Sequence, residues 1–151
     1  MKDLSNAACI VGVDESDEIG TVGVGEATIP QIHLFNAALG LDEAEFLRET
    51  KGSFKLGIEF EGWLRPGHSY MHAFGNVGRP QGLLPFQHYW ARGRSLGLSK
   101  PRLHYSLTEL AARTMRMQRG RRSPGSPEMP YAYHFDAGLY AAYLRRYAEA
   151  R

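Results

Sequence analysis

Between Ser53 and Trp63 the chain reads S-F-K-L-G-I-E-F-E-G-W, with apolar residues at every second position: Phe54, Leu56, Ile58 and Phe60. Four matches to period 2 predict a strand with one face in a core, because a helix would scatter these side chains round its circumference. The other face carries Lys55, Gly57, Glu59 and Glu61, and Lys55 is its only cation. The ordinary reading is a surface lysine among surface glutamates, since exposure is the rule for lysine. The sharper alternative is a lysine held in a cleft for chemistry.

The 151 residues suffice for one domain of ordinary size. Hydrophobic residues at 43% and charged residues at 23% are those of a folded globular chain and exclude wholesale disorder. A net charge of +2 gives no reason to expect nucleic acid or a membrane surface as partner. Cys9 is the single cysteine, which excludes an internal disulfide framework and fits a reducing compartment. No run reaches membrane-span length, and acids follow at once after the first residues, so a cytoplasmic location is the default.

Ala8 to Val13 is a short apolar run that ends in Asp14 and Glu15, as a buried strand of an α/β fold does. An acid there can bond a ribose hydroxyl or simply begin a polar loop, and no G-x-G-x-x-G precedes it. Thr21 to Pro30 reads T-V-G-V-G-E-A-T-I-P. Gly23 and Gly25 permit either a tight turn or a flat ligand lying on the main chain. Pro30 to Leu39 is expected to be helical, with Ile32, Phe35 and Leu39 inward and Gly40 as terminator. Asp42 and Glu45 have the spacing of a capping box for a second helix, with Phe46 and Leu47 inward.

Leu64 to Leu84, with Gly67, Gly75, Gly78 and Gly82, reads as a long loop holding one short strand, Ser69 to Phe74. His68 and His72 are four apart, but the segment is not helical and no third ligand is evident, so no metal site is expected. Pro85 to Leu96 predicts a short aromatic helix. Ser106 and Glu109 form a second capping box for a helix through about Met117, with Leu110, Thr114 and Met117 inward. Arg113, Arg116, Arg119, Arg121 and Arg122 have neither interleaved acids nor aromatic platforms, and read as a solvated helix end and linker. Asp136 caps a last amphipathic helix that carries Leu139, Tyr140, Tyr143, Leu144 and Tyr147.

Four blocks together resemble the flavin-dependent tryptophan halogenases: Glu15 to Pro30, Ser53 to Trp63, Tyr70 to Gly75 (Y-M-H-A-F-G) and Tyr131 to Tyr140 (Y-A-Y-H-F-D-A-G-L-Y). The first two are the most specific. The resemblance implies an α/β fold, part of a flavin-monooxygenase-like Rossmann domain that binds FAD, with mixed strands, helices and a long loop. It implies that reduced FAD, supplied by a flavin reductase, reacts with oxygen and a halide ion to give hypohalous acid. A lysine then handles this acid beside an aromatic substrate, tryptophan or an indole-like ring. By match of motif that lysine is Lys55, acting through hydrogen bonding or as a chloramine. Gly23, Val24, Gly25, Glu26, Ala27 and Thr28 match the loop that straps the flavin, and Glu15 and Ser16 match the strand end near its adenosine. His72 and Phe74 match an H-x-F pair that flanks the substrate ring.

The family's amino-terminal G-x-G-x-x-G loop and its W-x-W-x-I-P motif are absent, so residues 1–151 are expected to be an internal fragment of a single halogenase domain. A homodimer is one assembly open to the full-length family. A non-catalytic remnant and a general FAD-binding module are the alternative readings, and Lys55 argues against the second.

Overall fold

The computed structural model describes residues 26–120, 124 and 128–151. These form strands β1 (Glu26–Ala27), β2 (Ser53–Lys55), β3 (Gly57–Glu61), β4 (Ser69–Ala73) and β5 (Ala132–Phe135), and helices α1 (Ile32–Leu39), α2 (Glu43–Glu49), α3 (Phe86–Ser95), α4 (Leu107–Arg113) and α5 (Ala137–Glu149). Helices, short strands and a long loop are mixed as the sequence predicts. Every strand pairing among the described residues is antiparallel, in a three-stranded sheet β1-β5-β2 and a two-stranded sheet β3-β4.

The expected strand from Ser53 to Trp63 is two strands in two sheets. Phe54 pairs with Tyr133 of β5, whereas Ile58 pairs with His72 of β4. The exchange of partners occurs at Leu56, whose carbonyl accepts the Phe74 N–H at 2.8 Å. Gly57 makes it possible. A Cβ there would lie 2.5 Å from the His72 carbonyl oxygen and 2.7 Å from Ala73 Cα, so no other residue allows β4 to approach so closely. The strand also ends at Glu61, short of Trp63. Ile58, on the expected core face, is exposed, because that side of the β3-β4 hairpin has no covering layer among the described residues.

Strand β5 is central, and its alternation separates two environments. Tyr131, Tyr133 and Phe135 turn to the core, where Phe46, Tyr133 and Tyr143 are buried and Ile32, Leu41, Leu47, Phe54 and Tyr140 pack around them. The Phe46 ring meets Tyr133, Phe135 and Tyr140 at centroid distances of 4.9, 5.4 and 5.5 Å, in tilted or edge-on geometry. Ala132 and His134 face the other way.

The helix caps are those the sequence predicts. Asp42, Ser106 and Asp136 each accept the backbone N–H three residues on, from Glu45, Glu109 and Leu139. Gly40 ends α1 in the left-handed region, at φ 71°. The inward faces differ in two helices. Phe35 is 50% exposed while its neighbour Asn36 is buried, its side-chain oxygen accepting the Tyr140 hydroxyl. Helix α4 buries Thr108, Glu109 and Ala111 rather than Leu110 and Thr114, since Glu109 is held by Arg102 and Arg113.

Helix α4 also stops four residues before the expected Met117. Thr114 Oγ1 bonds back to the Leu110 carbonyl at 2.8 Å, and Met115 adopts φ 52°. The N–H groups of Met115 and Arg116 then return to the carbonyls of Ala112 and Ala111 at 3.1 and 2.8 Å. This is the paired-bond helix ending in which glycine is usual at the left-handed position. A methionine there bears roughly 1 kcal/mol of backbone strain.

Candidate functional site

Lys55 is only 5% exposed, although the sequence places it on the strand's polar face. The residues that cover it arrive from distant parts of the chain. It lines a cleft of about 300 Å³ with Phe54, Leu56, Gly57, Met71 and His134, and the end of α4 supplies Ala112, Met115, Arg116 and Met117. Its ammonium donates to the Thr28 carbonyl at 2.9 Å and lies 5.7 Å from the centroid of the Phe74 ring, within reach of a cation–π attraction. Burial holds the Lys55 amine below its ordinary pKa, because removal from water penalises the charged form.

Thr28 is fixed before it meets Lys55. Its N–H and hydroxyl both donate to the Tyr133 carbonyl, at 3.1 and 3.0 Å, and the same hydroxyl accepts the Tyr133 N–H at 3.1 Å. Strand β1 thus reaches β5 by a side chain as well as by the ladder. Glu26 and Ala27 pair through their backbones with Phe135 and His134, and among the described residues β1 is at the edge of the sheet. Ala27 is small and exposed. Glu15, Ser16, Gly23, Val24 and Gly25 lie outside the described residues, as does the Ala8–Val13 run.

The structure brings Phe74 to Lys55 but leaves His72 apart. His72 is exposed, opposite Ile58 on the outer side of the hairpin, and does not line the cleft. No group of three metal-ligating side chains occurs among the described residues, and no helix among them is long and apolar enough to cross a membrane. The arginines read as a solvated stretch are partly engaged. Arg113 pairs with Glu109 and Glu59, Arg119 pairs with Glu43, and Arg116 lines the cleft; Arg121 and Arg122 lie outside the described residues.

Two features of the site escape a reading by motif. His134 stands diagonally from Lys55 on the same face of β2-β5, given that Ser53 pairs with His134 and Lys55 with Ala132. Partial burial, and after it the Lys55 charge, hold its imidazole below the ordinary value. The alternation of Tyr131, Tyr133 and Phe135 with Ala132 and His134 is the signal that could have found it. The second feature lies behind the sheet. Glu43 Oε1 accepts the hydroxyls of Tyr131 and Tyr133, each at 2.7 Å, and His33 contacts the Tyr133 hydroxyl at 3.0 Å and the Tyr131 carbonyl at 2.8 Å. Burial alone would raise the Glu43 pKa. The two tyrosine hydrogen bonds, with the charges of Arg119 and His33, outweigh it and lower the carboxyl.

The cleft can hold a small reactive species against an amine. Among the described residues Lys55, Arg116 and His134 are the ionisable groups that line it, and these favour anionic and electron-withdrawing partners.

The chain is similar in sequence and fold to known proteins. The family model described as tryptophan halogenase matches residues 1–151. The 7-chloro-L-tryptophan 6-halogenase KtzR of Kutzneria sp. (strain 744) is 33% identical over 93% of this chain and 31% of its own length. The tryptophan 7-halogenase RebH of Lentzea aerocolonigenes is 32% identical over 89% of this chain and 28% of its own. Among solved structures, Xcc4156, a flavin-dependent halogenase from Xanthomonas campestris, superposes with a TM-score of 0.81 at 44% identity, over 89% of this chain and 27% of that one. The chain therefore spans about a third of the length of the curated relatives it matches. With the family model matched from the first residue to the last, the chain belongs to the tryptophan halogenase family.

Proposed function

We propose that this chain carries the lysine centre of a flavin-dependent halogenase, which chlorinates or brominates tryptophan or a related aromatic through hypohalous acid handled by Lys55. The observation that carries this reading is the burial of Lys55, tied to the Thr28 carbonyl beside the Phe74 ring. A lysine lowered in pKa by burial keeps more of its amine neutral and nucleophilic near neutral pH than an exposed one. Its alternative, as ammonium, is to donate a hydrogen bond that polarises the halogen–oxygen bond in a site poor in water. The Thr28 carbonyl fixes the nitrogen in either state.

Thr28, with Ala27 and the Glu26 main chain, belongs to the segment that would strap FAD, and among the described residues β1 is at the sheet edge, where a flat ring could lie along it. Residues Glu15, Ser16, Gly23, Val24 and Gly25 complete that proposed contact. When bound, reduced flavin from a flavin reductase supplies the electrons with which oxygen converts halide to hypohalous acid. The strap residue and the lysine meet at one hydrogen bond, so movement of β1 on flavin binding would be felt directly at Lys55. Phe74 offers an aromatic face for an indole, and His72 is assigned to the same substrate-flanking pair, one residue from the β4 face that packs inward.

The test uses a chimaera in which residues 1–151 replace the matching segment of the Xanthomonas campestris halogenase, assayed with a flavin reductase, chloride and tryptophan. Lys55→Ala is expected to abolish chlorinated product while flavin oxidation by oxygen continues. Retained halogenation in that variant would overturn the role of Lys55. The 151-residue chain by itself, which spans about a third of its relatives, is expected to give no halide-dependent product.

A further inference from the structure

Three of the chain's five methionines line the Lys55 cleft: Met71, Met115 and Met117. They are graded by depth. Met115 is 93% exposed, Met117 is partly buried, and Met71 is 8% exposed. Each is placed by a specific backbone feature. Met71 pairs with Glu59 in the β3-β4 ladder and its methyl lies over Gly57, where a Cβ would come within 2.7 Å of it. Met115 and Met117 are turned to the cleft by the strained left-handed ending of α4. A thioether is soft, polarizable and readily converted to sulfoxide, which makes these residues unusual neighbours for a lysine that handles an oxidised halogen.

We propose that the cleft is a sulfur-lined trap, in which Met71 is oxidised to its sulfoxide by hypohalous acid captured at Lys55. This rests on the hypohalous-acid reading of Lys55 given above. The neutral Lys55 amine takes Cl⁺ from HOCl, forming the N–Cl bond of a chloramine and releasing water. Attack by the Met71 sulfur breaks the N–Cl bond, and a water molecule supplies the sulfoxide oxygen. The sum is R₂S + R′NHCl + H₂O → R₂SO + R′NH₂ + H⁺ + Cl⁻, with sulfur oxidised by two electrons and chlorine reduced to chloride. When no aromatic ring is in place, the oxidant is consumed within the cleft and Lys55 is regenerated. Met117 and Met115 take the same reaction closer to solvent.

Met129, which is 7% exposed and does not line the cleft, is a control matched in burial. The 151-residue chain is treated with substoichiometric hypochlorous acid, without tryptophan, and its peptides are mapped by mass spectrometry. Met71 is expected to gain oxygen about tenfold faster than Met129, and Lys55→Arg, which keeps the cation, to remove that lead. Equal rates in the wild-type chain, or a lead that survives Lys55→Arg, would overturn the trap. A second variant, with Met71→Leu, Met115→Leu and Met117→Leu combined, preserves side-chain size and leaves Lys55 intact. Chlorine on the Lys55 peptide should persist longer in it than in the wild-type chain. Chlorine that persists equally in both refutes the trap while capture at Lys55 stands; chlorine on Lys55 in neither refutes the reading on which the trap rests.

Discussion

Lys55 Nζ donates to the main-chain oxygen of Thr28 across 27 positions of sequence, at 2.9 Å. The acceptor is a carbonyl, which stays an acceptor at every pH, and not a carboxylate that would stabilise the ammonium by charge. Among the described residues, the hydrogen bond that positions Lys55 is thus made to a neutral acceptor, whereas a buried cation is ordinarily paired with a counterion.

The burial of Lys55 fixes the sign of a pH effect. The Lys55 pKa in the folded chain is below the ordinary lysine value of 10.5, so the folded state releases its proton first. Below the folded pKa both states are protonated and the fold bears the full cost of burying the charge. Between the folded pKa and 10.5 the unfolded chain binds more protons, and stability rises with pH. Lys55→Met removes this contribution. Urea titrations across that window should show the wild-type chain gaining on Lys55→Met as pH rises, while a difference independent of pH would contradict the burial account.

Glu43 works in the opposite direction. Its folded pKa lies below 4.5, so its contribution is present above 4.5 and lost as pH falls through the folded value. Glu43→Gln keeps an oxygen acceptor but removes the charge that faces Arg119 and two tyrosine hydroxyls. It should cost roughly 1.5–3 kcal/mol at neutral pH, the range for hydrogen bonds to a charged group. In acid the wild-type chain and the variant should converge, which melting temperatures measured from neutral to acidic pH can check.

Gly57→Ala should separate the two sheets' shared turning point. The new methyl meets two backbone atoms, His72 O and Ala73 Cα, which cannot step aside as a side-chain end would. A loss of roughly 1–3 kcal/mol is expected from overpacking, with faster amide exchange at Phe74, whose N–H is bound by Leu56. Unchanged exchange at Phe74 would show that β4 is not held by this approach.

The caps at Asp42, Ser106 and Asp136 and the glycine ending of α1 were legible because each is a local event, complete within four residues. The strand character of Phe54 and Ile58 was legible for the same reason. That they serve different sheets was not, because their partners, Tyr133 of β5 and His72 of β4, lie 79 and 14 positions away. Lys55 looked exposed since its own segment contains nothing to cover it. The cover comes from Met71, from the end of α4 and from His134. Motif resemblance supplied Lys55, Thr28 and Phe74, which the fold brings together, but passed over His134 and the tyrosine pair on Glu43. Their significance depends on which face of β5 meets which neighbour.

Strand β5 ties two requirements to a single parity. Odd-numbered Tyr131, Tyr133 and Phe135 fill the core, while even-numbered Ala132 and His134 face the side where Lys55 stands. A substitution can alter one side and spare the other. An insertion or deletion of one residue between Pro130 and Asp136 cannot, because it would carry a tyrosine ring into the cleft and an imidazole into the core together. Descendants of this sequence are free to vary the chemistry of the cleft or the packing of the core, but they inherit the spacing of this segment as a fixed count.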